Sequence, residues 1–143
     1  MGASRILLAD DDAGMLANVA LHLRNEQYTV VCATDGLEAL TAAQSEDPDV
    51  LLITVELMVD EKMTLCEELS KHPVLRRIPI IYLVGERTVR LGNLPRVPTR
   101  SMIFKPLHTD ELFAKVEQAL STGKRRRELG RIRLGGSRRG RAA

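Results

Sequence analysis

What most constrains this chain is an alternation of two periods. Short apolar, β-branched runs recur at "SRILLAD", "YTVVCAT", "DVLLITV", "IPIIYLVG" and "SMIFKP". Stretches with helical spacing separate or follow them. Val50, Leu51, Leu52 and Ile53 are apolar at four consecutive positions, as expected of a parallel strand covered by helices on both faces. Met15, Leu16, Val19 and Leu23 fall on one helical face, with Asp12 as N-cap. Leu37, Leu40 and Ala43 do the same after Asp35, and Leu65, Cys66 and Leu69 form the inward face of a third helix. Thr109 is expected to cap a last helix with Leu112, Val116 and Leu120 on one side, and Gly123 is expected to stop it. Repeated strand–helix units of this kind specify an α/β domain, a doubly wound, five-stranded parallel sheet. One unit is broken. Between the fourth and fifth strands lies "ERTVRLGNLPRVPTR", where Pro95 and Pro98 would each remove a helical donor. At most a turn or two near Thr88 to Leu94 is expected there.

Charge divides the chain in two. Residues 122–143 contain Lys124, eight Arg and a single acid, Glu128, for a net +8; residues 1–121 carry a net −6. The expected organisation is a globular domain over 1–121 and an Arg/Gly-rich tail over 122–143, too poor in apolar residues to order by itself. Lys124, Arg125, Arg126 and Arg127 open that tail and suit a polyanion, nucleic acid or anionic lipid. No aromatic residues interleave with the arginines, so base stacking is not expected. No stretch reads as a membrane span, and the start lacks the basic and apolar regions of a signal peptide. Cys32 and Cys66 sit in apolar surroundings without paired spacing, which fits reduced, buried thiols and a cytoplasmic location. His22, His72 and His108 match no metal or triad spacing and are given no role.

Function in an open parallel sheet gathers at the carboxyl ends of the strands. The sequence places Asp10, Asp11 and Asp12 after the first strand, Thr54 after the third, Val84 and Gly85 after the fourth, and Lys105 after the fifth. Glu56 lies two residues beyond Thr54, hence on the same face if the strand continues.

The order and spacing of "ILLADDD", "DGLEAL", "PDVLLI", "LCEEL", "IPIIYL" and "FKP" resemble the receiver domain of two-component response regulators, over residues 5–121. The resemblance implies a flavodoxin-like (βα)5 fold, here with a degenerate fourth helix. It also implies a Mg²⁺-dependent site in which an aspartate after the third strand accepts a phosphoryl group from a histidine kinase. Asp10, Asp11 and Lys105 match that pattern. The phosphoacceptor position holds Thr54, the hydroxyl position after the fourth strand holds Val84, and the aromatic switch position holds Met102. What the resemblance then implies is an atypical or pseudo-receiver: a cytoplasmic bacterial signalling module, not an enzyme. It would bind a signalling protein without phosphoryl transfer, through its fourth strand, fifth strand and last helix. Arg87, Arg90, Leu91, Leu94 and Arg96, with Val97 and Arg100, are the expected contacts. A residual acidic pocket of Asp10, Asp11, Glu56 and Lys105 is expected, with Lys105 paired to Asp11. No cofactor is expected beyond weak Mg²⁺ at Asp10 and Asp11. Two rival readings are a Mg²⁺- and phosphate-responsive receiver using Asp10, Asp11 and Glu56, and a polyanion-binding protein acting through its tail.

Overall fold

The computed structural model describes residues 3–123. The strands are β1 (Arg5–Ala9), β2 (Thr29–Ala33), β3 (Val50–Thr54), β4 (Ile80–Val84) and β5 (Met102–Phe104). They form one sheet in the order β2-β1-β3-β4-β5, and every pairing is parallel. The helices are α1 (Ala13–Asn25), α2 (Gly36–Ser45), α3 (Leu65–Lys71), α4 (Glu86–Leu91) and α5, over 109–123. This is the doubly wound arrangement that the alternating periods predict. The segment 124–143, including Lys124, Arg125, Arg126 and Arg127, lies outside the described residues, and α5 runs two residues past the expected domain limit at 121.

Strand parity sorts the core into two layers. Ile6, Leu8, Leu52, Leu83 and Ile103 pack with the apolar stripes of α1 and α5. Leu7, Ala9, Leu51 and Ile53 pack on the other face with Ala39 and Ala43 of α2 and Leu65 and Leu69 of α3. β3 is buried at every position, as its continuous apolar run requires.

Helix starts are set locally. Asp12 accepts from the Met15 amide and Asp35 from the Glu38 amide. Thr64 and Glu67 form a reciprocal capping box at α3. In α5 the first bond runs from the Leu112 amide to the His108 carbonyl, so the cap falls one residue before Thr109. His72, given no role from sequence, ends α3 and accepts at Nδ1 from the amides of Val74 and Leu75, capping the short 3-10 turn that follows.

Two expectations change. Leu37 faces solvent at 62% exposure, because α2 buries its small residues Gly36, Ala39 and Ala43 instead. The close approach of α2 to the loop after β3 is the reason: a Cβ on Gly36 would lie 2.1 Å from the Met58 carbonyl oxygen. The fourth helix survives as six residues, Glu86–Leu91, starting earlier than expected and ending at Gly92 in the left-handed conformation, φ 71°.

Candidate functional site

At the carboxyl edge of the sheet, backbone ladder bonds continue past the strand ends. The Asp10 amide donates to the Ala33 carbonyl at 3.1 Å, and the Lys105 amide to the Val84 carbonyl at 2.9 Å. These bonds hold the two side chains at the sheet's rim, with Thr54 at the last position of β3. The Lys105–Pro106 peptide bond is cis.

Asp10 is the centre of the site. It is fully buried, and both of its oxygens are occupied. Oδ1 accepts from the Asp12 amide at 2.9 Å. Oδ2 accepts from the Thr54 hydroxyl and forms an ion pair with the Lys105 ammonium. Burial by itself would raise the Asp10 pKa. The bonds from Lys105, Thr54 and the Asp12 amide, with the Lys105 charge, outweigh burial and hold the carboxyl below its ordinary value. Lys105 therefore pairs with Asp10 and not with Asp11, because Asp10 is the carboxylate turned into the sheet's rim and Asp11 is exposed. A hydrogen bond with Asp10, partial burial and the Asp10 charge push the Asp11 carboxyl up.

Glu56 does not join this pocket. β3 ends at Thr54, and the Leu57 amide turns back to the Thr54 carbonyl, so strand parity no longer applies to Glu56. Its carboxylate accepts from the hydroxyl of Thr88, a buried residue of α4. Thr88 is a site residue that sequence reading missed. Its partner lies 32 positions away, and no local pattern signals the pair. Val84 is fully buried and Met102 nearly so; Met102 faces Tyr82 in the β4–β5 register.

Mg²⁺ is the ion that the resemblance implies for this donor set. Mg²⁺ takes oxygen ligands in octahedral geometry. Asp10 has both oxygens committed, one of them to a cation, and Thr54 supplies no charge. Among the described residues no group of three or more His, Cys, Asp and Glu is placed so that it could hold a metal ion. The residues present do not fit the ion.

A groove of about 600 Å³ opens beside the site, between α3 and α4. Tyr82 of β4, Cys66 of α3, and Arg87 and Leu91 of α4 are among the residues that line it. Leu91 and Leu94 are 60% and 43% exposed, while Val97 is only half-exposed. Arg87, Arg90, Arg96 and Arg100 make no ion pair among the described residues. Burial, then the Glu67 charge, pushes the Cys66 thiol up to about 12. At pH 8 its thiolate fraction should be roughly a thousandfold below that of an ordinary cysteine. Iodoacetamide should leave Cys66 unlabelled in the native protein and modify it on unfolding, as peptide mass mapping will show.

A family model for the response regulator receiver domain matches residues 6–117. The chain belongs to this family. The receiver resembles a CheY-like response regulator receiver domain protein from Methanospirillum hungatei at 25% identity and a TM-score of 0.69, over 87% of this chain and 99% of that one. It is also similar to NtrX from Brucella abortus, crystallised with ADP, at 26% identity and a TM-score of 0.74; the match covers 92% of this receiver but 30% of the NtrX chain. A receiver domain protein from Clostridium thermocellum, at 20% identity and a TM-score of 0.69, shares the fold over 85% of this chain and 97% of its own.

Proposed function

We propose that this receiver signals by binding a partner protein, without accepting a phosphoryl group. The observation that carries the reading is the state of Thr54. Its hydroxyl is buried and donates to Asp10. A hydroxyl needs a base to become a nucleophile. Asp10 is a poor one, since Lys105 stabilises its anion and its pKa lies below the ordinary carboxylate value. The family's phosphoacceptor is a carboxylate, and Thr54 stands in its place. Val84 brings no hydroxyl to the end of β4, and the hydroxyl of Thr88 in α4 is engaged by Glu56. Glu56 is therefore occupied elsewhere, which weighs against a phosphate-responsive site built from Asp10, Asp11 and Glu56.

The partner surface is proposed at α4 and the segment after it. Arg87, Arg90 and Arg96 stand there without ion-pair partners among the described residues, beside exposed Leu91 and Leu94. Such mixtures of arginine and exposed apolar side chains suit protein interfaces. Phe104, 41% exposed at the end of β5, extends the surface toward the fifth strand. Among the described residues no helix is long and apolar enough to cross a membrane; a bacterial cytoplasmic setting is part of the proposal. The +8 charge of residues 122–143 supports a second activity, loose polyanion binding, which deletion of that segment would abolish.

The test is amide NMR with Mg²⁺ and beryllofluoride, an analogue of the phosphoryl group. The natural protein should show no shifts beyond those of matched ionic strength. Specific shifts at Asp10, Asp11 and Glu56 would sink the proposal. Thr54→Asp, run in parallel, tells whether Thr54 alone blocks the response or whether Val84 and the short α4 block it too.

A further inference from the structure

Three consecutive aspartates follow the first strand of this receiver; Asp12 caps α1, and of Asp10 and Asp11, the acidic corner, only one is short of a cation. Asp10 has the Lys105 ammonium on Oδ2, reinforced by the Thr54 hydroxyl on the same oxygen. Asp11 stands exposed beside it. Counting Asp10, Asp11 and Lys105 as ionised, the corner carries a net −1, and its buried part is neutral. A divalent ion placed there would have to displace an ammonium already seated on a fully buried carboxylate. It would also gain only one carboxylate that lacks a cation in return.

We infer that Lys105 is the permanent cation of this corner and takes the place of a divalent ion, with the neutral Thr54 leaving it undivided on Asp10. This rests on the reading of the site as inactive in phosphoryl transfer, and it gives the reason that a divalent ion is not expected there. The Thr54 hydroxyl is neutral, so it does not compete with Asp10 for Lys105; it only adds a donor to the same oxygen. A carboxylate at position 54 would instead meet Asp10 at contact distance. Two carboxylates so placed repel and recruit positive charge. The single ammonium would then be shared, and the corner would carry a net −2. Removing Lys105 reaches the same net −2 by a different route. Two chemically unrelated substitutions are thus expected to create the same property.

The experiment is a titration with MgCl₂ alone, followed by amide NMR and by the thermal midpoint, against NaCl at matched ionic strength. The natural protein and Thr54→Ser, which keeps the hydroxyl, should show no Mg²⁺-specific response at millimolar concentration. Thr54→Asp and Lys105→Met should each bind Mg²⁺ at least about tenfold more tightly than the natural protein. Shifts should centre on Asp10 and Asp11, and the thermal midpoint should rise with Mg²⁺. The thermal readout also serves if Lys105→Met is only partly folded, because added Mg²⁺ should then restore folded protein. Saturable Mg²⁺ binding by the natural protein overturns the inference, and so does failure of both variants to gain it. Either result leaves the beryllofluoride test of phosphoryl transfer standing by itself.

Discussion

Lys105→Met should lower stability by about 3 kcal/mol at neutral pH and by almost nothing in strong acid. Removing one partner of a buried ion pair costs roughly 3–5 kcal/mol, because the other charge stays buried without compensation. The lower end applies here, since the Lys105 side chain keeps 27% of its exposure while Asp10 has none. The pH dependence follows from the direction of the Asp10 shift. In the natural protein the folded pKa lies below the ordinary 3.8. Its contribution is therefore complete above that value and is lost as pH falls through the lower folded pKa. Without Lys105, the carboxyl loses both the bond and the charge by which that residue lowers it, so the Asp10 pKa moves up from its place in the natural protein. The variant is then least handicapped at low pH, where Asp10 is protonated in both proteins, and the difference opens as pH climbs through the two folded pKa values. Urea denaturation of both proteins across the acid range should show two curves that converge at low pH and separate toward neutrality. Parallel curves would mean that Lys105 acts through packing and not through charge.

Gly36→Ala should destabilise the domain by about 3 kcal/mol, although helix propensity points the other way. Alanine in place of glycine in a helix is ordinarily worth about 1 kcal/mol of added stability. Here the new Cβ would sit 2.1 Å from the Met58 carbonyl oxygen and 2.7 Å from its carbon. Both are backbone atoms, so no side chain can swing aside. Either α2 or the loop joining β3 to α3 must move, and overpacking of this kind typically costs 1–3 kcal/mol or more. Gly85→Ala is the control. Nothing lies within 4 Å of the Cβ it would add, and its φ of −86° suits any residue. That variant should unfold within about 0.5 kcal/mol of the natural protein. If the two alanine variants behave alike, the contact between Gly36 and Met58 is not what fixes the spacing of α2.

The loop that Gly36 touches also carries Glu56, so the two effects meet at the site. A displaced β3–α3 loop would draw Glu56 from Thr88 and loosen the short α4.

The sequence by itself determined the layers. Apolar runs of period 2 and stripes of period 3.6 are local properties, and they identified five strands, four good helices and one broken by Pro95 and Pro98. The same local reading identified Asp12 and Asp35 as caps, because a cap bonds amides only three residues away. It also brought Asp10, Thr54, Val84 and Lys105 to one edge, because parallel strands put all their carboxyl ends together. Tertiary structure alone decided who pairs with whom. Lys105 chose Asp10 over its neighbour Asp11 because only Asp10 is turned into the sheet, 95 residues away in the chain. Glu56 left the expected pocket for Thr88 because the strand ended at Thr54 and its side-chain alternation ended with it. Leu37 was outward and Gly36 inward because α2 lies too close to the next loop for a larger side chain. Periodicity fixes which face a residue belongs to within its own element. Which charge meets which across elements depends on burial and reach in three dimensions, and no local pattern encodes that.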